Sequence, residues 1–208
     1  MQKKPFVEGN LEDKYNAKNP VSKYLMQRFL RSFEQLLVEV KKQERITTIC
    51  EVGCGEGELL KILHTHFPKA KLYACDLASN EIAKAKCNTQ ELKVTFTQQN
   101  AESLHIYADQ QFDLVVCCEV LEHLEQPKKG LAELKRIGRT AVVSVPVEPL
   151  WRFLNLLRFK YVKHLGNTPG HLNHWSTDSF QNLLRKRSLK VLQSKFPLPW
   201  QMYLFEAK

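Results

Sequence analysis

Three glycines and the acidic residues around them are the first candidates for chemistry in this chain. Glu51 follows a β-branched, apolar run, and glycines occupy positions 53, 55 and 57 directly after it. Glycine suits a turn whose backbone takes positive φ or touches a ligand, because a Cβ atom would obstruct both. At the carboxyl end of a parallel strand, such a turn forms the floor of a nucleotide-type pocket. The pattern therefore predicts a cofactor-binding loop.

The spacing of the glycines limits the class of ligand that the loop can bind. The dinucleotide pattern G-x-G-x-x-G would place its third glycine at position 58, where this chain has Glu58, and the third glycine is Gly57 instead. A carboxylate at the start of a helix opposes a diphosphate, which a helix N-terminus otherwise attracts. The residues favour a ligand with an adenosine and no phosphates. A nicotinamide oxidoreductase remains a remote alternative, because Asp76 would suit an unphosphorylated ribose.

Asp76 lies at the end of the next apolar run, residues 70–75. A doubly wound fold places an acid at about this distance from the glycine turn, where its two oxygens accept hydrogen bonds from the ribose hydroxyls. The alternative is that Asp76 only caps the helix that follows, for which Ser79 is also a plausible N-cap.

Two segments carry a family resemblance. E-V-G-C-G-E-G, residues 51–57, resembles motif I of the class I S-adenosylmethionine-dependent methyltransferases, and F-D-L-V-V-C-C-E-V-L-E-H-L, residues 112–124, resembles the segment at their fourth strand. The overall type is similar to the small methyltransferases of the ubiquinone-pathway, or type 11, kind. The resemblance follows motifs over residues 45–145 and implies S-adenosyl-L-methionine as cofactor, S-adenosyl-L-homocysteine as product, and methyl transfer as the activity.

The resemblance also implies a set of cofactor-binding residues. The glycine loop would lie against the methionine part of the cofactor, and Asn100 would accept a hydrogen bond from the adenine amino group, where the family usually has Asp. An Asn carbonyl can accept the same bond without charge. An amino-terminal arm would add Tyr15. The full predicted set is Glu51, Gly53, Cys54, Gly55, Gly57, Asp76, Leu77, Asn100, Ala101, Glu102, Cys118, Glu119, His123 and Tyr15.

Histidines are the candidates for a general base, because imidazole titrates near neutral pH. His171 and His174 follow turn residues 166–170, and His123 lies four residues after Glu119, which would put the two on one face of a helical turn. The alternatives are that His171 and His174 are core residues that hold a lid and that His123 packs its turn. A methyl group on a sulfonium is already activated, so alignment alone can suffice for some nucleophiles.

The elements that must position these residues alternate between strand and helix. We predict an α/β fold with a Rossmann-like, doubly wound sheet of seven strands, mostly parallel with one antiparallel strand near the edge, and helices on both faces. Predicted strands cover residues 46–50, 70–75, 93–97, 111–118, 140–145, 189–196 and 202–207. Predicted helices cover residues 21–42, 57–66, 79–87, 130–137 and 177–186, the last capped by Ser176 or Thr177.

We predict an arm before the core and a lid inserted within it. Residues 1–44 would be an arm and a helix that cover the cofactor site, and residues 45–208 the methyltransferase core, with a lid inserted at about 147–175. The lid segment combines apolar residues at roughly helical spacing with several cations. Its apolar side would close on the site. A basic amphipathic segment of this kind, residues 150–165, could instead rest on a membrane.

Composition bounds the remaining possibilities. The 208 residues fit one domain, or one with a small appendage. The net charge of +9 suits an anionic substrate, nucleic acid or an acidic membrane, or serves solubility. Nucleic acid is possible but not favoured, because the chain has no aromatic-interleaved basic tract, and Cys117-Cys118-Glu119-Val120 stands where an Asn-Pro-Pro-Tyr-type motif would follow the fourth strand.

The six cysteines show no C-x-x-C pair and lie mostly in or beside apolar runs, so we expect reduced thiols and no metal site. No apolar run approaches the ~20 residues that span a bilayer, and the start lacks a secretory signal, so we expect a cytoplasmic protein.

Three functions stay open on the sequence. The first is a methyltransferase acting on an O, N or C nucleophile of a small, lipid-like or glycan-linked metabolite. The second is an RNA or protein methyltransferase. The third is a non-catalytic subunit that binds S-adenosylmethionine and activates a partner. The methyl acceptor and the oligomeric state are not predicted.

Overall fold

The sheet confirms the predicted fold class. The computed structural model describes residues 19–43, 45–157, 161 and 164–206. In chain order the strands are β1 (Thr48–Val52), β2 (Lys71–Asp76), β3 (Val94–Gln98), β4 (Phe112–Cys118), β5 (Gly138–Pro146), β6 (Lys190–Lys195) and β7 (Trp200–Glu206). Their spatial order is β3-β2-β1-β4-β5-β7-β6, and of these seven strands β7 alone runs in the opposite direction to the others. A continuous apolar run such as that of β4 is expected when helices cover both faces of a strand.

Helices lie on both faces of the sheet, as predicted. They are α1 (Pro20–Gln43), α2 (Glu58–His66), α3 (Ser79–Asn88), α4 (Pro127–Ile137), α5 (Leu150–Leu157) and α6 (Thr177–Lys186), with a 3-10 turn at Leu121–His123. Among the described residues, no helix combines the length and the apolar character needed to cross a bilayer.

Two hydrophobic layers sandwich the sheet. On one face, Phe33 and Leu36 of α1 pack with Ile49 of β1, and all three are fully buried. On the other face, Leu134 of α4 and Phe180 of α6 are equally buried. Each such side chain contributes about 1.5–3 kcal/mol through burial. The sheet is thereby held rigid from both sides. The prediction that α1 also covers the cofactor site stays a prediction, and the arm with Tyr15 lies outside the described residues.

The strand order creates a crevice. From β1 the chain proceeds to β2 and β3 on one side, and then returns to place β4 on the other side of β1. The loops that leave β1 and β4 therefore diverge, and ligands of open α/β sheets bind at such a switch point, outside the carboxyl ends of the strands. The glycine loop follows β1 and the Glu119–His123 segment follows β4, so both candidate segments lie at this crevice.

Helix ends test the capping predictions. Ser176 caps α6, since its Oγ accepts a hydrogen bond from the Ser179 N–H at 3.2 Å, as predicted. The prediction for Ser79 is wrong: Ala78 occupies the N-cap position, and no side chain caps α3. The backbone N–H of Ala78 is satisfied by Asp76 instead, at 2.9 Å.

Candidate functional site

The glycine loop takes the backbone conformations that its sequence predicts. Gly53, Gly55 and Gly57 have φ values of 75°, 48° and 82°. A Cβ atom on Gly53 would lie 2.2 Å from Cγ2 of Val120, which follows β4. The N–H groups of Gly53 and Cys54 both donate to the Cys75 carbonyl, at 2.7 and 3.0 Å. The loop is thus clamped between the end of β2 and the segment after β4, and only glycine fits at position 53.

Asp76 anchors the loop. One carboxylate oxygen accepts from the Gly55 N–H and the other from the Ala78 N–H, both at 2.9 Å. The side chain is partly exposed at the crevice. Each oxygen of a carboxylate can accept a further hydrogen bond, so holding the loop is compatible with the predicted contact to ribose hydroxyls.

The crevice is acidic. Glu51 is 3% exposed, and its Oε2 atom is buried without a hydrogen-bond partner among the described residues. Burial raises the pKa of Glu51, and the nearby charges of Asp76 and Glu58 raise it further. Glu58 itself pairs with Lys61 at 2.9 Å. In a chain of net charge +9, this local negative charge favours a cationic ligand and opposes a diphosphate.

The loop after β3 holds the predicted adenine-binding residues. The Asn100 side-chain oxygen accepts from the Glu102 N–H at 2.9 Å, and Glu102 accepts from the Gln126 N–H at 2.8 Å. Ala101 is buried between them, whereas Leu77, directly after Asp76, is 40% exposed. The loop is therefore folded and fixed onto the start of α4. The contacts of these residues with adenine stay predictions.

Glu119 differs from its predicted geometry. It has a positive φ of 59°, and the 3-10 turn begins two residues later, so Glu119 and His123 do not share a helical face. Its carboxylate accepts from Ser144 Oγ at 3.1 Å and from Trp200 Nε1 at 2.6 Å. Glu119 therefore ties β4 to β5 and β7. Its neighbour Cys118 is a thiol whose pKa burial raises.

A cluster of two histidines and one glutamate lies beside the crevice. The rings of His123 and His171 are 4.9 Å apart and nearly perpendicular, at 81°. Trp151 of α5 stacks on His171 at 6.0 Å. Glu122 joins them, and one ligand atom from each of Glu122, His123 and His171 lies within 4.8 Å of the other two. Glu122 and His171 are buried, and His123 is exposed.

Hydrogen bonds join the two chain segments that carry this cluster. The Leu172 and Asn173 N–H groups donate to the Glu122 carbonyl at 2.8 and 3.0 Å. The Asn173 side chain donates to the Leu124 carbonyl at 2.6 Å. Asn173 and Glu122 were not among the predicted site residues. Glu122 stands directly before His123 in the sequence, but no local pattern pairs it with residues 171–173.

His171 and His174, which lie three residues apart in the sequence, have different surroundings. His171 is 5% exposed and lies in the cluster, whereas His174 is exposed and donates to the Asn167 side-chain oxygen at 2.7 Å. Partial desolvation of its ring and the charge of Arg152 lower the pKa of His174. The structure thus brings His123 and His171 together. Base roles for His123, His171 and His174 stay predictions.

The described part of the lid is attached to the same region. Trp151 Nε1 donates to Thr168 Oγ1, and the Asn155 amide donates to the Gly166 carbonyl, both at 2.9 Å. Phe153 and Leu165 are 58% and 68% exposed. The cations at positions 158, 160 and 163 lie outside the described residues. Closure of the lid and its contact with a membrane stay predictions.

Comparison with known proteins places these elements in context. Residues 50–141 match the family model described as "Methyltransferase domain". A malonyl-[acyl-carrier protein] O-methyltransferase of Anoxybacillus flavithermus is 36% identical over 89 residues, 43% of this chain and 34% of the relative. A mitochondrial ubiquinone biosynthesis O-methyltransferase of Dictyostelium discoideum is 27% identical over 142 residues, 61% of this chain and 43% of the relative. The chain thus matches less than half the length of either relative.

Solved structures share the whole fold. Magnesium protoporphyrin IX methyltransferase from Synechocystis, with S-adenosylhomocysteine bound, superposes with a TM-score of 0.69 at 18% identity, covering 92% of this chain and 90% of that one. A SAM-dependent methyltransferase from Aquifex aeolicus gives 0.68 at 18% identity, covering 91% and 94%. At this identity the likeness concerns the fold.

Proposed function

We propose that the chain is a class I S-adenosylmethionine-dependent methyltransferase, as its match to the methyltransferase-domain model supports, and that it transfers the methyl group of this cofactor to an oxygen of a small, lipid-like acceptor. Membership of that family would supply the cofactor and the fold. The acceptor atom and the acceptor class are the parts of this proposal that go further, and each has its own support.

The observation that carries the proposal is the acidic crevice. S-adenosylmethionine has a sulfonium and an ammonium, whereas a nicotinamide dinucleotide brings two phosphates. Asp76, partly exposed at the loop, provides negative charge where the glycine loop lets a ligand approach the backbone. The buried carboxyl group of Glu51 can add to this charge by losing its proton when a cation binds. The side chains present therefore fit a cationic adenosyl ligand. Gly53 and Gly55 would hold its methionine part and Asp76 its ribose.

The work left to the protein is alignment, exclusion of water and proton removal. Bound S-adenosylmethionine supplies a methyl group already activated by its sulfonium. Alignment of an acceptor can contribute about 7–11 kcal/mol to lowering the barrier. The acceptor oxygen forms its bond to the methyl carbon as the carbon–sulfur bond breaks, and the electron pair remains on sulfur. A hydroxyl acceptor must also lose its proton, and the His123–His171 pair is the candidate group beside the crevice.

Two observations support an oxygen acceptor with lipid-like character. Both curated relatives described above carry O-methylation in their names. In addition, the lid exposes large apolar side chains, Phe153 and Leu165, which an acyl or prenyl group could cover by hydrophobic contact.

Calorimetric titration and a methyl-transfer assay test the proposal. We expect S-adenosylmethionine to bind and NADH not to bind. Asp76→Ala should weaken binding, whereas Asp109→Ala, which removes an exposed partner of Arg136, should leave it unchanged with a comparable effect on surface charge. Radiolabelled methyl should then appear in a lipid extract.

Each contrary result has a distinct meaning. Binding of NADH in place of S-adenosylmethionine would reject the cofactor assignment. Labelling of RNA or protein in place of lipid would reject the acceptor class. Cofactor binding without transfer to any of these pools would favour a non-catalytic subunit.

A further inference from the structure

The cluster beside the crevice has the composition of a metal site. We propose that Glu122, His123 and His171 bind a divalent first-row transition cation. The sequence indicated no metal site, because its Cys and His residues are not grouped at ligand spacing. The fold changes this, since it brings His171 against Glu122 and His123 from a distant part of the chain.

The dimensions of the cluster are close to those of a coordination sphere. One carboxylate oxygen and one nitrogen from each imidazole lie within 4.8 Å of one another. Ligands of a tetrahedral ion at about 2.0–2.2 Å lie about 3.4 Å apart. The widest pair must therefore close by at most about 1.4 Å, which rotation of side chains provides without movement of the backbone.

The surroundings orient the ligands. His123 Nδ1 lies 3.0 Å from the Gly170 carbonyl oxygen. Because a carbonyl oxygen only accepts, this contact places an N–H on Nδ1, and Nε2 is the ring nitrogen that would bind a cation. A ligating histidine commonly donates its other ring N–H to a carbonyl or carboxylate in this way. Trp151 stacks on His171 and fixes its ring. The hydrogen bonds from Leu172 and Asn173 to the Glu122 carbonyl hold the two segments in register. The three ligands are thus positioned before a cation arrives.

The ligand set indicates the kind of cation. Two imidazoles and one carboxylate suit Zn²⁺, Co²⁺, Mn²⁺ or Fe²⁺, whereas Ca²⁺ and Mg²⁺ prefer oxygen ligands throughout. Three protein ligands leave coordination positions open, which is typical of catalytic rather than structural sites.

The open positions suggest a role, which rests on the function proposed above. The cluster belongs to the turn whose Val120 contacts Gly53, so a cation there would lie next to the cofactor crevice. It would take the acceptor's hydroxyl oxygen as a further ligand and lower the pKa of that hydroxyl, so that the proton leaves to solvent near neutral pH. In this role the two histidines would hold the cation and would not act as bases. The oxygen would then be ready to attack the methyl group.

Titration with Co²⁺ alone, followed by its visible absorption, tests the site. All proteins carry Cys87→Ser, because Cys87 is an exposed thiol that would compete for the probe. We expect one Co²⁺ per chain, with d–d bands and no thiolate charge-transfer band. Glu122→Gln, His123→Gln and His171→Ala should each weaken binding on the order of 100-fold. His174→Ala is the matched control, since that exposed histidine is bonded to Asn167, and it should bind as the parent does.

Several results would overturn the proposal: no stoichiometric Co²⁺ binding, a thiolate band, or an equal loss with His174→Ala. Because His171 is buried, its replacement could unfold the protein, so circular dichroism checks the fold of each variant. If His171→Ala unfolds, the test uses the variant of the exposed residue, His123→Gln. Titration of the same proteins with S-adenosylmethionine separates the two proposals. Intact cofactor binding without cation binding rejects only the metal site, and the reverse result rejects only the cofactor assignment.

Discussion

Replacement of Gly53 by alanine tests the geometry of the glycine loop. Two costs follow from the structure. Gly53 has φ of +75°, and the left-handed region costs a residue with a Cβ about 1–2 kcal/mol. The added Cβ would also lie 2.2 Å from Val120 Cγ2, far inside the contact optimum of about 3.5–4.0 Å, and overpacking of this kind costs about 1–3 kcal/mol. Gly53→Ala should therefore lose about 2–5 kcal/mol in total.

Gly57→Ala is the matched control. Gly57 has a similar φ of +82°, but a Cβ there would lie 3.2 Å from its nearest neighbours, Ala85 and Thr89. It should lose about 1–2 kcal/mol from the backbone, and its side-chain contacts should add less than those at Gly53 because the neighbours need to move by only a few tenths of an ångström. Denaturant unfolding gives the free energy of each variant, and calorimetry gives its affinity for S-adenosylmethionine.

The contact with Val120 is isolated by a double-mutant cycle. Val120→Ala should be less harmful in the Gly53→Ala background than alone, because it removes the overlap, with a coupling of about 1–3 kcal/mol. Equal stability of Gly53→Ala and Gly57→Ala, or no coupling with Val120→Ala, would refute the argument.

Three further outcomes are expected. Because burial and Asp76 raise the pKa of Glu51, a bound sulfonium should lower it, so cofactor binding should release a proton from Glu51 at pH values between its pKa in the complex and its pKa in the free protein. In that pH range the binding enthalpy will vary with the buffer's ionisation enthalpy, and Glu51→Gln should remove this dependence. Burial raises the pKa of Asp113, but hydrogen bonds from Thr47 and Thr48 outweigh it and leave the pKa lowered. Asp113 therefore stabilises the fold above its unfolded pKa of about 3.9, and that contribution is lost as pH falls through the folded pKa; Asp113→Asn should flatten the acid limb of unfolding free energy against pH. Ser176→Ala should cost about 0.5–2 kcal/mol in unfolding experiments, because it removes the N-cap of α6.

The sequence predicts best what local physics determines. The run of Ile and Thr before Glu51, the glycines after it and Asp76 at the next strand end each follow from short-range rules of burial and turn formation. The structure accordingly has β1, β2 and the positive φ angles in the expected places, and Asp76 ends β2 as expected. The hydrogen bond by which Asp76 anchors the loop was not predicted. The antiparallel position of β7 was predictable only through the family resemblance, because strand alternation alone does not give the order of strands.

What the sequence did not predict depends on contacts between distant segments. A 3-10 turn and an α-helical turn look alike over the few residues after β4, so the positive φ of Glu119 was not foreseen. Its partners Ser144 and Trp200 belong to other strands. The meeting of Glu122 with His171 likewise depends on hydrogen bonds from residues 172 and 173, which no periodicity encodes.

The seventh strand has a consequence for how the protein is made. In chain order β7 comes last, yet it lies between β5 and β6 and contributes the Trp200 indole that holds Glu119 beside the crevice. Synthesis proceeds from the amino terminus, so a chain still on the ribosome has β5 with an uncovered edge until residues 200–206 emerge. Until then the wall of the crevice is incomplete, and a nascent chain should gain its affinity for S-adenosylmethionine only after residues 200–206 have left the ribosome.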